Sequence, residues 1–93
     1  MADSPPSKPR VPDATAQTLQ QAYARHGAGD LAAARELYER VLRGAPDQFD
    51  ALHGLGIVHI QQRDFDAAER VLRRAVTINP RAAEAHSNHY AAL

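Results

Sequence analysis

Phe49-Asp50-Ala51-Leu52-His53-Gly54-Leu55-Gly56-Ile57-Val58-His59-Ile60, then Gln61-Gln62-Arg63-Asp64, then Phe65-Asp66-Ala67-Ala68 and on through Val71-Leu72, Ala75-Val76 and Asn79-Pro80: this stretch decides the fold. Leu52, Leu55, Gly56 and His59 recur on one side of a first segment, and Phe65, Ala68, Leu72, Ala75 and Val76 on one side of a second. The spacing is i, i+3, i+4, i+7, the period of a helix face and not of a strand. Two helices joined by a short polar break are therefore predicted. The small residues Gly56 and Ala68 let the two backbones approach closely, where extra bulk typically costs ~1–3 kcal/mol.

The same unit recurs. A shift of 34 residues lays Pro80 on Pro46, Ala68 on Ala34, Ala67 on Ala33, Asp64 on Asp30, Arg74 on Arg40, Leu72 on Tyr38 and Phe65 on Leu31. A downstream shift lays Ala51 on Ala85 and Asp50 on Glu84. A fixed internal period of this kind means stacked units rather than one closed core. The unit resembles the tetratricopeptide repeat, a helix–turn–helix of about 34 residues with an aromatic, Leu-Gly, aromatic, Ala, aromatic, Pro signature. Leu52, Leu55-Gly56, His59, Ala68, Leu72 and Pro80 stand at those sites in turn. The resemblance covers roughly residues 15 to 93. It implies an all-α, right-handed superhelical stack of antiparallel helix pairs, an α-solenoid of about two and a half repeats and five helices.

Bulk composition narrows the function classes. The 93 residues allow one small domain. No cysteine means no disulfide framework and no thiol-based metal or redox site. A formal net charge of zero gives no electrostatic footprint for nucleic acid or an acidic membrane. No apolar run is long enough to span a bilayer. The N-terminus lacks the apolar core of a secretory signal, so a soluble cytoplasmic protein is the expectation.

The chain then reads in order. Residues 1–12 are expected to form a disordered Pro-rich tail, since Pro5, Pro6, Pro9 and Pro12 lie there with almost nothing to bury. Such a tail reads as an extended linker rather than as a Pro-rich recognition motif. The repeat domain occupies residues 13–93, with repeat one at 15–48, repeat two at 49–82 and a half repeat at 83–93. Asp13 is expected to cap the first helix, which runs to about Gly27 with Leu19, Ala22, Tyr23 and His26 on its apolar face. Gln21-Ala22 and Arg25 replace the Leu-Gly pair and the second aromatic there, as suits the outer side of a terminal cap.

Gly27-Ala28-Gly29 ends this helix and Asp30 caps the second, from about Leu31 to Gly44. Its buried stripe is Leu31, Ala34, Leu37, Tyr38, Val41 and Leu42, with Arg35–Glu39 and Glu36–Arg40 as i, i+4 pairs outside. Ala45-Pro46 stops it. Asp47 is expected to cap the third, which is apolar nearly all round from about Gln48 to Gln62 and so belongs in the middle of the stack. The fourth, about Phe65 to Ile78, ends at Asn79-Pro80. A fifth is expected from Ala82 onward, with His89-Tyr90 where Leu-Gly should stand.

No nucleophile–base arrangement, phosphate loop or buried carboxylate pair occurs, so the chain is expected not to be an enzyme and to need no cofactor. His86 and His89 lie three apart, with His53 and His59 one repeat earlier. Zinc needs three or four ligands, and no cysteine supports these histidines, so they read as packing residues and no metal site is expected.

Binding is what the resemblance leaves. In the family, the first helices of successive repeats line a concave groove that holds a peptide or partner helix. Carried over, the binding residues are Leu19, Tyr23, His53, Ile57, Ile60, Ser87 and Ala91, an uncharged and mostly apolar strip. None of these is Lys, Arg or Asn, so no carboxylate clamp is expected. Leu19 and Tyr23 have a competing reading as packing beneath an N-terminal cap. A short stack buries little. Self-association through His89, Tyr90 and Leu93 of the fifth helix, as a two-fold homodimer, is therefore expected. The rival reading is an N-terminal arm of a larger enzyme. Leu19-Gln20-Gln21-Ala22, Leu31-Ala32-Ala33-Ala34 and Ala83-Glu84-Ala85-His86-Ser87-Asn88 resemble repeats ahead of bacterial glycosyltransferases similar to O-GlcNAc transferases.

Overall fold

A computed structural model of the chain describes residues 13–81. Four helices follow one another there: α1 (Asp13–Gly27), α2 (Leu31–Gly44), α3 (Phe49–Gln61) and α4 (Phe65–Ile78). The expected fifth helix lies outside the described residues, as do Ser87, His89, Tyr90, Ala91 and Leu93. So does the expected tail.

The caps set the helix starts. Asp30 accepts the amide of Ala33 at 3.2 Å and Asp64 that of Ala67 at 3.3 Å, one repeat apart. Asp13, expected as a cap, is the first residue of α1. At α3 the expectation fails by one residue. Gln48 is the cap, its Oε1 accepting the Ala51 amide at 2.7 Å. Asp47 instead pairs with Arg74, whose Nε also reaches the Pro46 carbonyl at 3.4 Å. The loop carboxylate is drawn to a guanidinium on the neighbouring repeat, and the next polar side chain takes over the free amide.

The turns inside each pair repeat as well. Gly29 and Arg63 occupy matching positions and both take positive φ, 84° and 63°. The next amides, of Asp30 and Asp64, reach back to the carbonyls of Arg25 at 2.9 Å and His59 at 2.8 Å. Gly29 and Arg63 themselves donate to His26 at 3.0 Å and Ile60 at 2.9 Å. This is the paired C-terminal bonding that a left-handed residue makes possible.

Packing follows the periodicity. α1 packs on α2, α2 on α3 and α3 on α4. α3 touches every other described helix, as its nearly continuous apolar surface requires. The core centres on Leu19, Ala22, Ala34, Tyr38, Val41, Ala51, Leu55 and Val58, with smaller clusters around Leu52–Ala75 and Ala68–Leu72. Leu31, Leu37, Leu42 and Val76 are partly buried against these clusters. Phe65, expected on the buried face of α4, is 40% exposed, because it opens the helix at the edge of the pair. Among the described residues the ion pairs are Arg73–Glu69 and Arg74–Asp47. The expected α2 pairs, Arg35–Glu39 and Glu36–Arg40, are not among them.

Candidate interaction groove

α1 touches α3, whereas the α2 and α4 backbones do not meet. The stack is therefore tighter on the α1/α3 side, and those two helices form its inner face. Small residues let α3 sit deep. Gly54 lies under Tyr38 and Gly56 under Leu72, each without room for a β-carbon.

The sequence-predicted binding residues divide on this face. Leu19 is only 7% exposed and belongs to the core, so it offers a ligand little surface. Tyr23 is 41% exposed. Its ring meets the buried Tyr38 ring edge-on, 6.2 Å between centroids. His53, Ile57 and Ile60 are half-buried. Ile60 leans on the Ala68–Leu72 cluster, and His53 stacks on Phe49 with centroids 5.7 Å apart. Burial and the Asp50 carboxylate both push the Tyr23 hydroxyl pKa up.

A carboxylate lies beside this uncharged strip: Asp50 is exposed in the first turn of α3. Asp50, His53 and Ile57 are spaced i, i+3, i+7, so the helical period already placed the carboxylate on this face.

A polar bridge closes the far end of the two inner helices. His26 Nε2 donates to Gln61 Oε1 at 2.8 Å, and Tyr38 donates its hydroxyl to His26 Nδ1 at 3.1 Å. A neutral imidazole offers one donor and one acceptor, so both contacts are satisfied by a single tautomer. The bridge joins α1, α2 and α3. Burial raises the Tyr38 hydroxyl pKa to about 12, so it remains a donor throughout the neutral range. His26 was visible in the sequence only as one more member of the apolar face of α1. Its partners lie 12 and 35 residues away, a relation the local period does not carry.

His59 is different. It is 6% exposed, and its Nδ1 is buried with no hydrogen-bond partner. Burial pushes its pKa down; Asp64 and Glu39 oppose this, and Arg35 and Arg70 reinforce it. It fills an aromatic's place in the core and is not a groove residue.

A shallow depression lies on the opposite side of α1 and α2, lined by Gln21, Arg25, Asp30, Ala33, Glu36, Leu37 and Arg40. Five of these seven are polar or charged in side chain with both signs present, the outer polar side expected at Gln21 and Arg25. No helix among the described residues is long and apolar enough to cross a membrane.

Comparison with known proteins sets this geometry in context. The tetratricopeptide repeat family model matches residues 25–88. A cellulose synthase operon protein C from Pseudomonas fluorescens is 32% identical over 62 residues, 67% of this chain and 5% of the relative. One of the same name from Komagataeibacter xylinus is 32% identical over 80 residues, 86% of this chain and 6% of the relative. Among solved structures, a mutant of the O-GlcNAc transferase of Thermobaculum terrenum matches with a TM-score of 0.83 at 35% identity. It covers 90% of this chain and 16% of that one. The chain thus spans about one-twentieth of the length of these curated relatives.

Proposed function

This chain belongs to the tetratricopeptide repeat family, and on that premise we propose that it is a non-catalytic protein-interaction module of the cytoplasm. A partner peptide or helix lies along the α1/α3 face, against Tyr23, His53, Ile57 and Ile60, with Ser87 and Ala91 extending the strip. The observation that carries this reading is the exposure of Tyr23 beside half-buried His53 and Ile57 on the inner side of the stack. Leu19 supports the strip from beneath.

The domain bounds belong to the same proposal: a tail at 1–12, repeats at 15–48 and 49–82, and a half repeat at 83–93 that supplies a fifth helix to a right-handed stack. Self-association runs through His89, Tyr90 and Leu93, giving a homodimer. Light scattering after size exclusion, over a wide dilution range, tests it on the intact chain and on His89→Leu/Tyr90→Gly. A dimer that dissociates on dilution and is lost in the double variant supports it; a monomer at every concentration rejects it.

The groove is tested by affinity capture with wild type, Ile57→Asp and Arg73→Ala. Partners held by wild type and Arg73→Ala but lost from Ile57→Asp support an inner-face site. Partners lost equally from the outer-face variant, or kept by Ile57→Asp, reject it.

A second reading is supported by the likeness to the Thermobaculum enzyme and by the small share of each relative that is covered. In it, the chain is the repeat arm of a larger glycosyltransferase-like protein. Reading the gene past Leu93 decides: a continuing frame that encodes such a domain favours the arm, and an immediate stop favours the stand-alone module.

A further inference from the structure

We propose that the groove takes a cationic segment, an Arg or Lys flanked by apolar side chains, with the cation between the Tyr23 ring and the Asp50 carboxylate and the apolar neighbour on Ile57. The inference rests on the groove reading above and names the chemistry of its occupant.

Charge is divided unevenly between the two sides of the stack. α2 carries Arg35, Glu36, Glu39, Arg40 and Arg43, and α4 carries Asp66, Glu69, Arg70, Arg73 and Arg74. After Asp13, the sequences of α1 and α3 hold just two ionised side chains, Arg25 and Asp50. Arg25 lines the depression shared with α2 and so faces away from the groove. Among the described residues, the charge left on the inner face is that of Asp50, and no Lys or Arg occurs anywhere in α3. An anionic ligand would meet this carboxylate without a cation to receive it.

Tyr23 completes the pair. Its ring is anchored edge-on by Tyr38, whose hydroxyl is in turn tied to His26 and Gln61. An aromatic ring fixed from behind and open to solvent offers its negative face to a cation. Asp50 lies in the first turn of α3, the helix that packs against α1 on this face, and so sets an opposite charge on the same side as the ring, in keeping with the raised Tyr23 hydroxyl pKa. Ile57, two turns along α3 from Asp50, is half-buried and belongs to none of the core clusters. Anion, aromatic and aliphatic surface thus follow one another along a single strip.

Fluorescence anisotropy on the full chain tests this with three labelled short peptides: alternating Leu-Arg, alternating Leu-Gln and alternating Leu-Glu. Leu-Arg is expected to bind on the order of tenfold more tightly than Leu-Glu, the combined worth of an exposed ion pair and a cation–aromatic contact. The preference should shrink as salt rises. Asp50→Asn and Tyr23→Ala should abolish it, and Asp50→Glu should keep it. Asp66→Asn, which removes an exposed first-turn carboxylate from α4, should leave it unchanged. Equal binding of all three peptides that Ile57→Ser removes would overturn the cationic preference and leave the groove standing. The wild-type comparison reads this without any variant. Binding of none of the peptides, or binding that no inner-face substitution alters, would overturn both.

Discussion

Gly54 of α3 and Tyr38 of α2 occupy one space: a β-carbon on Gly54 would stand 2.6 Å from Cε1 of Tyr38 and 2.8 Å from its hydroxyl oxygen. The ring has no easy retreat. It is 1% exposed, with Tyr23 and His26 edge-on against it and its hydroxyl held by His26. Gly54→Ala should therefore destabilise by ~1–3 kcal/mol, the usual cost of overpacking a filled core. Gly56→Ala should do the same through Leu72, which is fully buried. Gly44→Ala meets nothing within 4 Å and serves as the control. Urea midpoints of the three variants check this, and a Gly54→Ala midpoint equal to that of Gly44→Ala would contradict it.

Tyr38→Phe keeps the ring and removes the donor to His26. The half-buried imidazole then loses a partner on Nδ1, and the expected loss is about 0.5–1.5 kcal/mol. His26→Leu should cost a comparable amount. The double variant should cost less than the sum, because both singles break the same bond. Additive losses in thermal or urea melts would show that the bridge contributes nothing as a unit.

His59 makes stability depend on pH. Burial holds its folded pKa below the ordinary 6.5, so the folded state resists taking up the proton that the unfolded chain accepts. The stabilisation is complete above pH 6.5 and is lost as the pH falls from there through the depressed folded value. His59→Phe removes the titration and the unpartnered Nδ1 together. Its stability at pH 7.5 should match wild type within about 1 kcal/mol, since deleting an unsatisfied polar atom is nearly free. The fall below pH 6.5 should become shallower than in wild type. Urea melts across this range check it; unchanged slopes would assign the acid sensitivity to other groups.

Arg63 and Gly29 stand one repeat apart in the same left-handed turn. A non-glycine residue there carries a strain of roughly 1–2 kcal/mol, offset in part because glycine has more unfolded freedom to lose. Arg63→Gly should stabilise the chain by about 0.5–1 kcal/mol, and Gly29→Ala should destabilise it by about 1 kcal/mol. Nothing crowds the Gly29 site, so its effect isolates the backbone. A shift in the opposite direction for either variant in thermal melts would show that side-chain contacts at the turn outweigh φ.

Much was settled by the order of residues. The 34-residue shift and the helical period place α2 at Leu31–Gly44 and α4 at Phe65–Ile78, and both spans hold in the structure. They also pick out Asp30 as a cap, Gly56 as a close-packing site and α3 as the middle helix. These are local or periodic properties: a helix face, a capping side chain and a proline stop each act within a few residues of chain.

What only the tertiary structure decided involves partners from different helices. Gln48 displaced Asp47 as the cap of α3 because Arg74, on the next repeat, takes the carboxylate. Gly54 is needed because a tyrosine arrives from α2, and the 34-residue pattern marks Gly56 alone. Leu19 went to the core while Tyr23, one turn away, stayed at the surface. The period names the face without saying how deep each position lies. His26 found Tyr38 and Gln61, and Asp50 came to act on Tyr23, only once α1 and α3 lay side by side. The distances that give these residues their roles run across the stack, and a one-dimensional pattern holds no record of them.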